Sequence, residues 1–560
     1  MMKKKWWHNK VMYQIYPKSF FDSNGDGIGD LQGIIEKLDY LKELGVDILW
    51  LSPVYESPMI DQGYDISDYY NINPDFGSMA DMERLITEAK KRGFYLLMDL
   101  VINHCSSEHE WFKRAMENPE GKYGEYFYIR EGKDGNPPCN WRSYFGGSAW
   151  ERIDGTDKYY LHMFAKEQPD LNWENEEVRH RLYEMINWWL EKGIDGFRID
   201  AIINIKKPEK FVSYEADGED GLCSVHKVLE DAQGIGGFLT ELKRETFEKH
   251  DAFTIAEVFD DKEGELPLFI GENGYFSTMF DFTIEKARSG DAWYNSKKLY
   301  PEDIKRLIFQ GQKESGAVGF RANIIENHDE PRGASSMFVE DPKCDASVKM
   351  LGTISLLLRG VPVIYQGQEI GMKNTVFADI SEVDDISSRA QYELALENGL
   401  TKEEALSVVS ERSRDNARTP FQWSGEREAG FTAGTSWLKV NPNYTEINVR
   451  KQEADKGSVL AYYRKLIALR KNPEYEDVFV YGTFEKAYEE IENVLAYYRK
   501  GETGAVLVAA NYQKEPRKLR LRDNIGKVLL TNQREVKIEK EYMYLDGFGT
   551  VVCTVEERDC

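Results

Sequence analysis

The sequence predicts an α/β fold: a (β/α)8 barrel with a subdomain inserted after its third strand and a C-terminal all-β sandwich domain. Three observations lead to this prediction. Short apolar runs alternate with amphipathic helical segments over most of the chain. Polar residues follow the ends of several of these apolar runs. From about residue 475 the chain contains only short apolar runs separated by turn residues.

The barrel prediction depends on a strand–helix unit that recurs along the chain. Strands are predicted, in chain order, at residues 11–16, 46–51, 94–102, 196–202, 253–256, 276–282, 321–325 and 361–365. Helical spacing of apolar residues is clearest at residues 34–44, 82–91, 179–190 and 345–358. Eight such units form a closed parallel barrel, in which functional groups lie at the carboxyl ends of the strands.

Two segments interrupt the alternation and define the predicted domain boundaries. Residues 104–171 are rich in Gly, Pro and aromatic residues and are too long for a simple connecting loop. Residues 381–412 are charged and have helical character. We therefore predict a barrel at residues 1–103 and 172–474 with a helical insertion at about 381–412, an inserted subdomain at 104–171, and a β domain at 475–560, where strands are expected at 478–481, 494–498, 505–510 and 551–553.

Composition restricts the partners and the compartment. The net charge of −25 argues against nucleic acid and anionic membranes as partners. The sequence has no uncharged apolar run that could span a membrane, and the basic N-terminal residues are not followed by the apolar region of a signal peptide. The six scattered cysteines, without a CxxC pair, are typical of free thiols in a reducing compartment. We expect a cytoplasmic protein that is a monomer or a weak homo-oligomer.

Several carboxylates follow predicted strands and should meet at one barrel mouth. Asp200 ends the fourth strand, two residues after Arg198 on the same strand face. This pair is either a structural ion pair or a guanidinium that holds a nucleophilic carboxylate in its charged form. Glu257 follows the fifth strand among apolar neighbours, which should raise its pKa and suit it to act as a general acid.

The combined motifs resemble glycoside hydrolase family 13, the α-amylase superfamily. The resemblance rests on residues 99–104 (DLVINH), residues 196–200 (GFRID), Glu257, and residues 327–329 (NHD). Residues 168–173 (QPDLNW) and 413–423 (SRDNARTPFQW) resemble the oligo-1,6-glucosidase group. That group includes isomaltase, dextran glucosidase, trehalose-6-phosphate hydrolase and sucrose isomerase.

The resemblance implies a role for each site residue and a small oligosaccharide as the substrate. Asp200 would be the nucleophile, Glu257 the acid and then the base, and Asp329 a stabiliser of the transition state. Arg198 would orient Asp200. The remaining residues would hold the terminal glucosyl unit, namely Asp61, Tyr64, His104, Gln168, His328 and Arg414. The two histidines are expected to donate hydrogen bonds, since no HxxxH or HxH spacing indicates a metal site.

A second motif, residues 22–30 (DSNGDGIGD), predicts a structural calcium ion away from the chemistry. Oxygen-bearing side chains alternate with small residues in this loop. Position twelve is Gly33 rather than Glu, so the loop is not an EF-hand. The resemblance implies Ca²⁺ ligands at Asp22, Asn24, Asp26 and Asp30, with the carbonyl of Ile28 as a fifth. The alternative is an Asx-rich turn without a metal.

The linkage preference depends on Ala201, the residue after Asp200. In the related group Val at this position goes with α-1,6 cleavage and Thr with α-1,4 cleavage. Ala departs from both but lacks the Thr hydroxyl, so we expect hydrolysis of terminal α-1,6-linked glucose by an exo-acting, retaining enzyme. The alternative is an α-1,4-active or broad-specificity α-glucosidase.

Two other activities and one non-catalytic class are alternatives to this interpretation. The Arg-rich loop of sucrose isomerases is absent from the sequence, which favours hydrolysis. Trehalose-6-phosphate hydrolysis would need a cationic phosphate pocket, and we interpret Lys206 and Lys207 as a solvated charge pair instead. A catalytically inactive family member, such as a transporter heavy subunit, would have a membrane span and lack the carboxylates.

Overall fold

The computed structural model describes residues 3–259, 261–262, 264–290, 292–316, 318–342 and 344–556. Its largest sheet has eight strands, and every paired strand in it runs parallel to its neighbour. A parallel bridge between Phe280 and Ala322 joins the two outermost strands and closes the sheet into a barrel. The strands are β1 (Met12–Ile15), β2 (Ile48–Leu51), β3 (Tyr95–Leu100), β4 (Gly196–Ile199), β5 (Phe253–Ala256), β6 (Thr278–Met279), β7 (Ala322–Asn323) and β8 (Val361–Tyr365).

Helices surround this barrel, and local sequence fixes their ends. The Asp30 side chain accepts a hydrogen bond from the Gly33 backbone at the start of the first helix, and Gly45 ends that helix at a φ of 98°. Ser78 and Asp81 form a capping box at the start of the second helix. The surrounding helices are α1 (Leu31–Leu44), α2 (Met79–Lys91), α3 (Glu176–Lys192), α4 (Ile235–Glu245), α5 (Leu266–Ile270), α6 (Pro301–Gly316), α7 (Asp345–Leu356) and α8 (Val459–Arg470).

Six of the eight strands, β1 to β4, β6 and β7, are shorter than predicted, and three of these shape the barrel mouth. β4 ends at Ile199, because Ala201 adopts a left-handed conformation and residues Ile202–Ile205 form a 3-10 helix. β6 and β7 each have two residues, where longer runs were predicted. The chain leaves the sheet early at these three points, so the residues that follow form the barrel mouth.

The inserted segment after β3 forms its own antiparallel sheet. Its strands are Ile129–Glu131, Lys158–Leu161 and Trp150–Arg152, preceded by the helix Glu110–Glu117. A further strand, Trp141–Arg142, pairs with Cys223–Ser224 from the loop after β4. The buried Trp141 lies in one cluster with Cys223, Val225 and Val228. The core of this region therefore includes a segment distant in sequence, and the boundary at residue 171 remains a prediction.

The segment between β8 and α8 also contains helices beside the barrel mouth. They are Ile386–Glu397, Lys402–Arg412, Asp415–Arg418 and Val449–Glu453. The first begins at Asp385, whose side chain accepts hydrogen bonds from the Ser387 and Ser388 backbones. The second begins with a Thr401–Glu404 capping box. The remaining short elements are the hairpin Tyr55–Glu56 and Asp68–Ile72, and the helices Val225–Leu229, Thr283–Arg288 and Gly333–Ser336.

The C-terminal domain consists of two antiparallel sheets, and one hydrophobic cluster contains residues from both. The strand predicted at 478–481 is wrong: Asp477–Tyr481 forms a turn of π-helix. Val478, Phe479 and Val480 are all buried, and a continuous apolar run does not distinguish a strand from a buried helix. The strands are Thr483–Ala487, Val494–Lys500, Ala505–Asn511, Thr550–Glu556 and Asn524–Thr531 in one sheet and Arg517–Arg520, Tyr542–Leu545 and Lys537–Glu539 in the other.

Two further observations concern the expected compartment. In the part of the chain that the structure describes, no helix is long and apolar enough to cross a membrane. Cys105, Cys139, Cys223, Cys344 and Cys553 have free thiols, while Cys560 lies outside the described residues.

Gly196 illustrates how closely β4 and β5 approach each other. A Cβ atom at this position would lie 1.8 Å from the Phe253 carbonyl oxygen. We predict that Gly196→Ala lowers the free energy of unfolding by at least about 1–3 kcal/mol, because the backbone oxygen cannot move without separating the strands. The same change should lower activity, since Arg198 and Asp200 follow on this strand. Urea unfolding followed by circular dichroism measures the loss.

Gly237→Ala is the matched control for this prediction. Gly237 lies inside α4, and a Cβ atom there would meet no atom within 4 Å. Alanine favours a helix by up to about 1 kcal/mol over glycine, so this variant should be as stable as the parent or more so. Equal stability of the Gly196→Ala variant and the parent would contradict the close approach of the strands.

Candidate active site

Arg198 lies at the centre of a buried cluster of carboxyl groups. Its Nη1 is 2.7 Å from Asp99 Oδ1 and 2.7 Å from Asp200 Oδ1, and its Nη2 is 2.6 Å from Glu257 Oε1. The side chain of Arg198 is 1% exposed, and all three carboxyl groups are buried. The strands β3, β4 and β5 position these groups, because they are adjacent in the sheet and end at the same edge.

Burial raises the pKa of both predicted reacting carboxyl groups. It raises the pKa of Glu257 to about 7 and that of Asp200 to about 7, while the positive charge of Arg198 acts in the opposite direction on each. The raised pKa of Glu257 agrees with the sequence prediction, but the surroundings of its carboxyl group are polar rather than apolar. Besides Arg198, the backbone N–H of Ala201 donates to Glu257 Oε2 over 2.9 Å.

Asp329 lies on the other side of the mouth, in contact with two guanidinium groups and a histidine. Its Oδ1 is 2.9 Å from Arg418 Nη2 and 3.2 Å from Arg414 Nη1, and its Oδ2 is 3.0 Å from His328 Nε2. Burial acts to raise the pKa of Asp329, but His328 and the two guanidinium groups hold it well below its ordinary value. Asp329 therefore remains ionised, in contrast to the carboxyl groups around Arg198.

A polar chain connects the second and third strands to Arg414. Asp61 Oδ1 is 2.9 Å from Arg414 Nη2, and Asp61 Oδ2 accepts a hydrogen bond of 3.2 Å from the Gln168 side chain. His104 Nε2 is 3.1 Å from the Tyr64 carbonyl oxygen. Burial lowers the pKa of His104 to about 4 and that of His328 to about 4, so both rings are neutral at neutral pH.

Tyr64 connects these residues to the Arg198 cluster. Its hydroxyl donates to Asp99 Oδ2 over 3.0 Å and lies 2.5 Å from His328 Nε2. Its ring stacks on that of His328 with centroids 5.3 Å apart. The structure thus brings together all ten of the catalytic and substrate-binding residues predicted from the sequence, which are Asp61, Tyr64, His104, Gln168, Arg198, Asp200, Glu257, His328, Asp329 and Arg414.

Ion pairs and two aromatic rings surround Arg414 and His104. Asp385 Oδ1 is 2.8 Å from Arg414 Nε and 2.6 Å from Arg414 Nη2. The Phe145 ring lies 5.4 Å from the Arg414 guanidinium. The Phe164 ring lies 5.0 Å from the His104 ring. This part of the site offers charged and polar groups that could bind hydroxyls.

Three residues that contact the site were not assigned to it from the sequence. Asp99 and Arg418 lie inside the quoted motifs. A charged residue within a motif that contains site residues is a signal that could have identified both. Asp385 lies in the segment interpreted only as a charged helical insertion. Nothing in the local sequence indicates that its carboxylate is buried against Arg414, because that contact joins positions 29 residues apart.

The interpretation of Lys207 as a solvated charge is wrong. Lys207 is 2% exposed, and its ammonium lies 2.6 Å from Asp170 Oδ2 and 2.9 Å from Asn103 Oδ1. The lysine is buried because the inserted segment folds back over the end of β4 and supplies a carboxylate there. Lys206, in contrast, pairs with Glu174 near the surface.

The predicted calcium loop is compact and largely satisfied by its own hydrogen bonds. Asp22 Oδ1 accepts from the backbones of Asn24 and Gly25, and Asp30 caps α1. Within the described ranges, no group of three or more His, Cys, Asp or Glu side chains is arranged to hold a metal ion. The proposed set also includes Asn24 and the Ile28 carbonyl, and a carboxylate that accepts N–H groups retains lone pairs for a cation. The residues present therefore fit a calcium ion chemically.

The buried contact between Asp385 and Arg414 gives a stability prediction. Asp385→Ala leaves a buried guanidinium without its closest partner, which typically costs about 3–5 kcal/mol. Urea unfolding should show this loss. The control is Glu382→Ala on the same segment, which removes an ion pair with Lys439 between partly exposed side chains and should cost less than about 1 kcal/mol. Equal effects of the two substitutions would contradict a structural role for the Asp385 contact.

Comparison with known proteins agrees with this geometry. Residues 14–482 match the model of the α-amylase catalytic domain, and residues 494–552 match that of the α-amylase SusG C-terminal domain. The chain is 44% identical over 517 residues to an oligo-1,6-glucosidase of Bacillus cereus, covering 92% of each chain.

Two solved structures extend the comparison over nearly the whole chain. One is trehalose-6-phosphate hydrolase of Bacillus licheniformis, with a TM-score of 0.90 and 40% identity. The other is trehalulose synthase from Pseudomonas mesoacidophila, with a TM-score of 0.93 and 38% identity. In both comparisons the match covers 99% of this chain and 100% of the other. The chain is therefore a glycoside hydrolase of the α-amylase family, glycoside hydrolase family 13.

Proposed function

We propose that this enzyme is a retaining, exo-acting α-glucosidase that hydrolyses terminal α-1,6-linked glucose from short oligosaccharides. The observation that carries the proposal is the position of Arg198, which contacts Asp200 and Glu257 with one guanidinium. One guanidinium can reach both only if the carboxyl groups are close neighbours. This favours the retaining arrangement, in which they are about 5–5.5 Å apart, over the wider inverting one.

The proposed mechanism uses the two carboxyl groups in different protonation states. Asp200 attacks the anomeric carbon while Glu257 protonates the departing glycosidic oxygen, which gives a covalent glucosyl-enzyme. Glu257 then accepts a proton from water, and the water releases glucose with the original α configuration. Burial raises the pKa of both groups and both contact the same guanidinium, so their titrations are linked and Glu257 can hold the proton that an acid needs.

The ion pairs around Arg414 support exo action. Arg414 is fixed between Asp61, Asp329 and Asp385, and these groups offer several hydrogen bonds to the hydroxyls of a terminal sugar. A sugar chain continuing past this position would meet the ion pairs and the Phe145 ring. Asp329, which remains charged, would bind hydroxyls whose acidity rises as positive charge develops on the ring.

The first experiment identifies the substrate and the stereochemistry. Purified enzyme is offered isomaltose, maltose, sucrose, isomaltulose, trehalose and trehalose-6-phosphate, and proton NMR follows the first-formed anomer. We expect isomaltose to have the highest kcat/KM and α-glucose to appear first. Early β-glucose would exclude the retaining mechanism. A preference for trehalose-6-phosphate, or conversion of sucrose into an isomer, would instead support the activities named in the two structural relatives.

Asp200→Asn tests the nucleophile directly. Removal of an enzyme nucleophile typically costs roughly 10⁴-fold or more in kcat, so this variant should be nearly inactive while keeping its melting temperature. Asp154→Asn, a change on the exposed surface of the inserted segment, serves as the control and should retain full activity. Substantial turnover by Asp200→Asn would show that another group is the nucleophile.

The proposed α-1,6 preference rests on Ala201 and on the similarity of the chain to a protein named oligo-1,6-glucosidase. Ala201 is buried just after the end of β4, and its backbone N–H donates to Glu257, so this residue lies beside the acid. Ala201 has a φ of 40° and lies outside the strand, so the alternation of side chains along β4 does not determine the direction of its methyl group. A small apolar group at this point leaves room for the flexible arm of an α-1,6 link and offers no hydroxyl to an α-1,4-linked ring.

Ala201 variants test the linkage hypothesis. Ala201→Thr should shift the kcat/KM ratio towards maltose and Ala201→Val towards isomaltose, by roughly 10–200-fold for a change of methyl size. Branched side chains are strained in the left-handed region, so both variants should also melt at lower temperature. Ala201→Gly is the control, because it tolerates this conformation. If neither branched variant changes the ratio, linkage choice lies elsewhere.

We also propose that residues 22–30 bind a structural calcium ion. Asp22, Asn24, Asp26 and Asp30 supply side-chain oxygens, and Ile28 supplies its carbonyl. The loop packs against residues 431–437, since Asp22 bonds to the Phe431 backbone and Trp437 to that of Gly27, so an ion here would stabilise two segments. A chelator should lower the melting temperature and added calcium should restore it. An unchanged melting temperature together with no calcium found by elemental analysis would contradict the proposal.

The cytoplasmic location and the monomeric or weakly oligomeric state remain predictions. The free thiols of the five described cysteines support a reducing compartment.

A further inference from the structure

The buried lysine after β4 is a charged group that the proposed mechanism does not use. Lys207 lies between the end of β3 and the inserted segment. On each side its ammonium contacts a residue that is close in sequence to a pocket residue. Its ammonium donates to Asn103, which precedes His104, and pairs with Asp170, which lies two residues after Gln168. Burying the Lys207 charge costs solvation free energy, so the contacts of the ammonium must offset that cost.

The Lys207 contact fixes the orientation of the Asn103 amide. An ammonium group only donates hydrogen bonds, so the Asn103 atom 2.9 Å away from it must be the carbonyl oxygen Oδ1. The amide nitrogen Nδ2 is then turned towards His104, where it lies 3.2 Å from Nδ1 of the ring. The opposite orientation would direct the amide hydrogens at the ammonium, with no acceptor for either group.

The fixed amide in turn determines which nitrogen of His104 carries the proton. An amide nitrogen is a donor only, so Nδ1 of the facing ring must accept and cannot bear a hydrogen. Burial lowers the pKa of His104 to about 4, so the ring is neutral at neutral pH and has one N–H. That hydrogen is therefore on Nε2, which lies 3.1 Å from the Tyr64 carbonyl oxygen at the pocket wall.

The neighbouring glutamine does not by itself decide the assignment, because its amide nitrogen lies 3.1 Å from His104 Nε2 and 3.4 Å from the Tyr64 carbonyl oxygen. The Tyr64 carbonyl decides it: it gives an N–H at Nε2 an acceptor, whereas Nδ1 faces only the Asn103 amide nitrogen.

The Ala165 backbone N–H donates to Gln168 Oε1 over 3.0 Å, which directs the Gln168 amide nitrogen to Asp61 Oδ2. The same turn is held by Asp170, which accepts a 3.0 Å hydrogen bond from the Met163 backbone and pairs with Lys207. The lysine thus anchors both pocket residues that come from the segment after β3.

We propose that Lys207 is a positioning residue: through Asn103 it holds His104 in the Nε2–H tautomer, so that the histidine donates to the Tyr64 carbonyl oxygen and its ring is fixed at the pocket wall. The role in sugar binding rests on the proposed glucosidase function, but the tautomer does not. Lys207 itself touches neither the sugar nor the reacting carboxyl groups. Its effect on catalysis is expected in KM more than in kcat.

The tautomer can be observed without a substrate. Long-range proton–nitrogen correlation spectra of deuterated protein labelled with ¹⁵N-histidine distinguish the two neutral forms, and the chain has only 8 histidines. The His104→Gln variant identifies the His104 signals. We expect the parent enzyme to show the Nε2–H form alone. The Nδ1–H form in the parent would overturn the proposal.

Two substitutions change the tautomer in defined ways. In Asn103→Asp a carboxylate oxygen replaces the amide nitrogen opposite Nδ1, so His104 should change to the Nδ1–H form while the Lys207 contact remains. In Lys207→Met the amide is free to rotate, so both tautomers should appear. If Lys207→Met does not fold, Asn103→Asp decides alone, because the Asp side chain has nearly the size of Asn. An unchanged tautomer in either folded variant would overturn the proposal.

Kinetics on the preferred sugar substrate test the consequence for the pocket. Asn103→Asp and Lys207→Met should each lower kcat/KM by about tenfold, mainly through KM. Lys206→Met is the matched control, because the Lys206 ammonium pairs with Glu174 near the surface. The His104 tautomer and the kcat/KM of this variant should match those of the parent. A changed tautomer with unchanged KM would leave the assignment of the proton intact and overturn the role of Lys207 in substrate binding.

Discussion

The guanidinium of Arg198 is the interaction on which the arrangement of the active site depends. It is almost fully buried and lies within 2.7 Å of carboxyl oxygens from β3, β4 and β5. Without it, three carboxyl groups would share a site from which water is largely excluded, and burial would favour their protonated forms. With one cation among them, part of the negative charge is retained. The cluster therefore combines carboxyl groups whose pKa values are raised by burial with one cation that opposes this rise.

The opposite side of the mouth follows a different balance of charge. There Arg414 and Arg418 both contact Asp329, and the pKa of this carboxyl group stays well below its ordinary value despite burial. Asp329 is contacted by His328 and two guanidinium groups, whereas Asp99, Asp200 and Glu257 share the single guanidinium of Arg198. The same residue type thus acquires different properties within one pocket, because the groups in contact with each carboxyl group differ.

Contacts between segments distant in sequence hold this pocket in shape. Asp385 begins a helix beyond β8 and binds Arg414, and Lys207 follows β4 and binds Asp170 from the segment inserted after β3. Each contact buries a charge whose partner lies on a different element. Such pairs contribute less to stability than their distances suggest, because both groups lose water. Their structural consequence is that Arg414 and the end of the segment inserted after β3 are each held by a partner on another element.

The sequence by itself determined the class of fold, the order of the strands, the family and the set of groups at the mouth. These features are encoded locally: apolar periodicity defines strands and helices, and parallel strands bring their carboxyl ends to one edge. The residues of the motifs around Asp200, Glu257 and Asp329 could therefore be selected before any contact was known.

Only the tertiary structure decided the surroundings of these groups. Val258 and Phe259 beside Glu257 suggested an apolar setting, but the Glu257 carboxyl group meets Arg198 and the backbone of Ala201. Ala201 was expected in a strand and adopts a left-handed turn, and Lys207 was expected in solvent and lies in the interior. Burial and pairing depend on which distant segments fold over a residue, and a local pattern contains no information about that choice.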